Sequence, residues 1–269
     1  QMATNTYSRK HTRGKKMGIA YLRDLMWVLV SREFKLRYKR SLLGVAWSLL
    51  VPMAQLGVLY VVFSYMLQLN IPHFSIFLLT GILPWTWFSG ALTAASSAIV
   101  DNRELVKQVN FPVGVLPAVS VLSQMVHFVL ALPILAGFLL AEGFRPTLPL
   151  ISLPIVMLIQ LLLLLGLSYI LATLQVRFRD TQYLLGIFLF LFFYVTPVFW
   201  DANRIQEPFR TIMLANPLAS LLGAYRSIFM DGRWPSLVPM ALLAVTSAAL
   251  CSVCYVLFKR SRDRFVEEL

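Results

Sequence analysis

The chain has 269 residues, of which 58% are hydrophobic and only 13% charged, with a mean hydropathy of +0.73. That is more apolar than a water-soluble domain of this size and places the chain in lipid. The formal net charge of +12 does not call for nucleic acid as a partner, because cytoplasmic loops of membrane proteins are enriched in Lys and Arg, which anionic headgroups attract.

Residues 1–18 are basic and polar through KHTRGKK and are expected to form a disordered cytoplasmic tail. In 19–43, Leu22, Leu25, Met26 and Leu29 recur at helical spacing with Arg23, Asp24, Arg32 and Glu33 between them. The pattern predicts an amphipathic helix, too charged to span and suited to the cytoplasmic interface. Apolar stretches of membrane-crossing length, about 20 residues, then fall near 44–68, 75–99, 114–141, 149–175, 183–198 and 236–258. They predict an all-α integral membrane fold with six transmembrane helices in a domain spanning 44–258. Gly81, Pro84 and Gly90 are expected to kink or break the second helix.

The fifth span carries two aromatic stripes at 100° per residue: Phe188, Phe192 and Phe199 on one side, Tyr183, Phe190 and Tyr194 on the other. Flat rings can pack against the C–H faces of sugars, giving weak, repeated contacts suited to a sliding polymer; they also suit lipid and an interfacial belt. The longest outer segment is 199–235, where Leu218, Leu221, Leu222 and Tyr225 follow Asn216-Pro217 at helical spacing. This predicts an outward-facing amphipathic helix. Residues 259–269 are expected to be a short cytoplasmic tail.

Of the 24 Lys and Arg, all but Arg145, Arg204, Arg210, Arg226 and Arg233 fall before the first span, in the 100–113 and 176–182 loops, or in the tail. This bias puts both termini in the cytoplasm. No acidic or basic residue lies inside a predicted span, which argues against ion-coupled transport, since coupling needs ionisable groups at membrane depth. The chain has no GxxxxGK[ST], so the phosphate-cradling loop for ATP must belong to another subunit. Cys251 and Cys254 form a CxxC inside an apolar run and are read as packing residues. His73 and His127 have no neighbouring ligand set in sequence and are read as structural. No Ser/His/Asp set or paired carboxylates indicate enzyme chemistry.

RYKRSLLGVAWSLLVP at 37–52, NRELVKQVNFP at 102–112, VRFRD at 176–180 and YVTPVFW at 194–200 resemble, in this order and spacing, the landmarks of ABC-2 type permeases. The resemblance is to the branch that exports O-antigen, capsule and teichoic acid polymers. It implies a non-enzymatic permease in a bacterial plasma membrane, a homodimer with two cytoplasmic ABC ATPase subunits, and lipid-linked polysaccharide as substrate. Cofactors are expected in the partner, which would hold ATP and Mg, and none in this chain.

By the same resemblance, 101–111 holds the coupling helix that docks on the ATPase through Asn102, Arg103, Glu104, Leu105, Val106 and Lys107, with Arg32, Glu33 and Lys35 as secondary contacts. The loop's residues suit this: Leu105, Val106 and Val109 offer a small apolar face, while Arg103, Glu104 and Lys107 provide a charged rim. A channel between the two copies is expected to be lined from the first and fifth spans. Its candidates are Tyr60, Phe63, Phe188, Phe192, Tyr194, Phe199 and Trp200, with the choice of stripe left open. Residues 199–235 are expected to form short re-entrant gate helices, with Asn216, Pro217, Leu221 and Tyr225 as gate residues. An ABC-2 permease for a drug or small lipid, and a membrane-embedded glycolipid-processing enzyme, are the competing readings.

Overall fold

The computed structural model describes residues 18–39, 43–68, 71–108, 111–201 and 216–268. The regular structure among these residues is all helical, and no strand occurs among them. The helices are α1 (Ile19–Tyr38), α2 (Trp47–Tyr60, continuing through a wider π-helical turn at Val61–Met66), α3 (Phe74–Asp101) and α4 (Arg103–Val106). There follow α5 (Val115–Ala141), α6 (Leu153–Arg177, entered by a 3₁₀ turn at Leu148–Ser152), α7 (Thr181–Val195), α8 (Pro217–Phe229) and α9 (Leu237–Glu268).

Five of them are long and apolar enough to cross a membrane: Trp47–Met66, Phe74–Asp101, Val115–Ala141, Leu148–Arg177 and Leu237–Arg262. They match five of the six predicted spans. The remaining one is the 15-residue α7, whose rise of about 22 Å falls short of a hydrocarbon core of about 30 Å.

α3 is the central helix and packs against α2, α5, α6, α7 and α8. It runs unbroken through Gly81, Pro84 and Gly90, against the expectation of a break. The glycines instead serve close approach. A Cβ on Gly81 would lie 2.6 Å from the Val198 carbonyl oxygen, and one on Gly90 3.0 Å from the Gln124 side-chain amide. The carbonyl of Pro84 accepts a hydrogen bond from Gln160 Nε2 of α6 at 2.9 Å, which ties α6 to the middle of α3. α6 and α9 pack closely at Gly166, where a Cβ would meet the Cys251 backbone at 2.9 Å.

The buried residues form two clusters. The larger joins α3, α5, α6, α8 and Leu243 of α9; the smaller gathers Ala98, Ile99, Val106, Val113, Tyr169, Cys254, Phe258 and Phe265. Leu22, Leu25, Met26 and Leu29 of α1 are half-buried as the periodicity predicts. α1 lies along α5: Glu33 accepts from the Ser123 hydroxyl at 2.8 Å and Phe34 stacks on His127 at 5.5 Å. The predicted boundary after 258 is also overrun. α9 continues as helix to Glu268, because Phe258 and Phe265 both find places in the smaller cluster.

Candidate functional site

The aromatic residues of α7 differ in what they touch. Phe192 turns inward, with ring centroids 6.1 Å from Trp85 and 6.2 Å from Phe88, and Phe188 stacks on it at 5.0 Å. Tyr183, Phe190 and Tyr194 are 77%, 63% and 53% exposed, with Phe190 and Tyr194 edge-to-face at 5.4 Å. Phe188 is itself 52% exposed, so within its stripe Phe192 is the ring held by α3, while the other stripe is open along its length. α7 buries only Leu185 and Leu189 completely, and an apolar cavity of about 760 Å³ separates it from α3 and α6. Beyond α7, Phe199 stacks on Phe63 of the π-helical turn at 4.9 Å and meets Tyr194 at 6.0 Å. Trp200 donates its indole N–H to the Tyr194 carbonyl at 3.1 Å. Tyr60 sits apart from this group, stacked on Phe74 at 6.2 Å and edge-on to Tyr65 at 5.9 Å. The structure thus brings Phe63, Tyr194, Phe199 and Trp200 together at one end of α2 and α7.

The expected coupling loop lies at the other end of α3. Asn102 donates to the Ala98 carbonyl at 2.9 Å, and Ser97 donates to Asp101 at 2.6 Å, which tie off the α3 terminus. α4 follows at once. Its apolar side is not the surface the residue types suggested: Val106 is buried and Leu105 half-buried against the smaller cluster, while Val109 falls outside the described residues. A helix of four residues has a single face to bury, and here that face fastens the loop to its own subunit. What remains outward is polar, namely Arg103 paired with Glu104 at 3.9 Å, and Lys107. Of the α1 contacts, Arg32 and Lys35 are exposed, whereas Glu33 is turned onto Ser123.

Two supports of this loop escaped the sequence reading, Phe265 and Arg262. Phe265 is buried with Val106, and Arg262 donates to the Phe111 carbonyl at 3.4 Å. The signal was there in the continuing Phe258-to-Phe265 spacing of two helical turns, but the charges around it read as a tail.

In the predicted gate segment, 202–215 lies outside the described residues. α8 begins as expected: the Asn216 side chain accepts from Leu218 N at 2.9 Å and donates to Thr196 at 3.0 Å, with Pro217 in the first turn. The stripe Leu218, Leu221, Leu222 and Tyr225 is the buried face of this amphipathic helix, packed against the subunit. Tyr225 donates its hydroxyl to Gln160 Oε1 at 2.9 Å, and Gln160 in turn donates to Pro84 O, so one polar chain joins α8, α6 and α3.

Arg226, counted in the sequence only as an outer charge, is half-buried beside Tyr225. Its guanidinium lies 3.6 Å from the Phe77 ring centroid and donates to Val198 O at 2.9 Å, and the Asp201 carboxylate supplies a favourable charge. α3, the turn after α7 and α8 therefore meet at Gly81, Val198 and Arg226. On the same side, His73 is 2.6 Å from Glu142, linking the loops before α3 and after α5.

The arrangement offers an open aromatic face, a polar loop at the opposite end of α3, and a bracket of hydrogen bonds holding the short helix α8. A family model described as ABC-2 type transporter matches residues 24–230. The O-antigen export system permease protein RfbA of Myxococcus xanthus is 40% identical over 249 residues, covering 92% of this chain and 96% of that protein. The protein of the same name from Klebsiella pneumoniae is 32% identical over 255 residues, or 94% and 98% of the two chains. The polysialic acid transport protein KpsM of Escherichia coli is 24% identical over 239 residues, or 87% and 92%.

Proposed function

The chain belongs to the ABC-2 type transporter family, and we propose that it is the membrane subunit of an ATP-driven exporter of lipid-linked polysaccharide, with O-antigen the first candidate. Similarity to relatives named as O-antigen export permeases, running over nearly the whole of both chains, is the observation that carries this reading. It is a transport permease rather than an enzyme, and the energy enters through a separate ABC ATPase subunit that holds ATP and Mg.

In this proposal α7 and the turn after it make a sixth crossing, the segment 199–235 re-enters the outer face, and both termini lie in the cytoplasm of a bacterial plasma membrane. Two copies form the channel, each joined to one ATPase. The exposed stripe Tyr183, Phe190 and Tyr194, with Phe63, Phe199 and Trp200 near its outer end, is the side we assign to the glycan path; it is open in the single subunit, whereas Phe192 is engaged by α3. Shallow contacts on many rings guide a polymer without trapping it. The coupling loop meets the ATPase through Arg103, Glu104 and Lys107, and because Val106 roots it in the smaller cluster, a push on the loop moves α3, α6 and α9 together. Asn216, Pro217, Leu221 and Tyr225 then act as the fixed root of the outer gate.

The test is deletion of the gene in its host, with assay of surface glycan and of lipid-linked glycan inside the cell. Loss outside with accumulation inside is the expected result. Unchanged levels of both exclude polysaccharide export and leave the small-substrate permease.

A further inference from the structure

Lys259 is the first charged residue of the chain after Arg233, and the part of α9 apolar enough to cross a membrane ends at Arg262. Both cations therefore stand where the helix leaves the hydrocarbon for the headgroup layer. Tyr255, Phe258, Lys259 and Arg262 follow one another at i, i+3, i+4 and i+7 and so share one side of α9. Each ring has a cation one turn beyond it.

These four residues line a cavity of about 580 Å³, faced by Leu22 and Met26 of α1 and by the turn into α5. Its floor is closed, because Phe258 is buried and the Tyr169 ring of α6 lies 5.2 Å from it and 5.3 Å from Tyr255. Its rim is open and positive. Lys259 and Arg262 are exposed, no carboxylate lines the cavity among the described residues, and Asp24 of α1 is held by Arg23 at 2.9 Å. Arg262 uses one donor on the Phe111 carbonyl at 3.4 Å. The rest of its guanidinium donors and the Lys259 ammonium are left for an anion. An apolar cleft with two cations at its mouth, set at a membrane surface, complements an amphiphile that carries a phosphate above hydrocarbon chains.

We propose that this cavity between α1, α5, α6 and α9 binds an anionic glycerophospholipid of the surrounding membrane, its phosphodiester on Lys259 and Arg262 and a chain along Tyr255, Met26 and Leu22. The lipid then joins α1, which packs on α5, to α9, which packs on α6, and the site stands whatever cargo the transporter carries.

The test titrates dioleoyl phosphatidylglycerol, or phosphatidylcholine with the same chains, into the full chain in mild detergent, read by native mass spectrometry. Phosphatidylglycerol is expected to bind at least about tenfold more tightly, since each cation near an anionic headgroup contributes about fivefold. Lys259→Gln with Arg262→Gln is expected to abolish that preference. Arg179→Gln, an exposed charge just beyond α6, is expected to leave it unchanged. Lys259→Gln alone, at an exposed side chain, is expected to weaken phosphatidylglycerol about fivefold, and it carries the test if the double variant fails to fold. Excess glycerol 1-phosphate, the headgroup without chains, is expected not to displace the lipid. Equal affinity for the two lipids, a preference that survives the double variant or falls as far in Arg179→Gln, or displacement by glycerol 1-phosphate overturns the proposal. Absence of the preference together with loss of a copurifying ATPase subunit from the double variant gives this surface to that protein and overturns it as well.

Discussion

α3 and the pair α2 and α7 are all strongly apolar, yet 78% of the most apolar stretch of α3 is buried within the subunit and only 11% of that of α2. α3 is treated like the core helix of a soluble protein: other helices approach its glycines to contact distance, and a glutamine hydrogen-bonds its proline carbonyl. α7 presents rings outward and keeps two buried leucines. Apolarity thus tells which helices belong in lipid and not which of them meet protein. The small residues and the polar groups with partners mark the core, and large rings without inward partners mark the face the subunit leaves open.

That contrast can be broken first at its core. Gly81→Val puts a branched side chain where even a Cβ meets Val198 O at 2.6 Å. It is expected to cost at least about 3 kcal/mol and to abolish recovery of folded protein in mild detergent, measured by gel filtration. Phe192→Ala removes a partly buried ring and is expected to destabilise by about 2 kcal/mol, lowering the thermal midpoint of the purified protein. Gln160→Leu strands the Tyr225 hydroxyl and is expected to cost about 1–3 kcal/mol. The pair Gln160→Leu and Tyr225→Phe is then less than additive in a double-mutant cycle, and strict additivity would contradict the buried chain from α8 to α3. Exchange of Arg103 and Glu104 sits at the small end for stability, within about 0.5 kcal/mol. It is expected to lower ATPase stimulation by the permease, and unchanged stimulation would remove that pair from the coupling surface.

The long helices were legible because twenty apolar residues have few alternatives in water, and α8's start was legible because Asn216-Pro217 is a capping signal with a local mechanism. What stayed hidden depends on contacts between distant segments. Nothing local distinguishes Phe190 from Phe192, since only the position of α3 decides which ring is covered. Val106 reads as a docking residue until Phe258 and Phe265 are seen to cover it. Arg226 reads only as an outer charge because span prediction follows the chain, whereas α8 brings it against Phe77 of α3 from outside the spans. The unbroken α3 has the same origin, because it is the helices packed around α3, with α6 bonded to it through Gln160, and not its own residues that hold it.

The most direct test of the account is complementation of the deletion strain with a Phe190→Ala and Tyr194→Ala double variant, alongside Phe192→Ala, with surface glycan, internal lipid-linked glycan and thermal midpoint measured for each. The account predicts that the double variant keeps its thermal midpoint while surface glycan falls and lipid-linked glycan accumulates inside. Full surface glycan from a well-folded double variant would contradict the assignment of the open aromatic stripe to the polymer path.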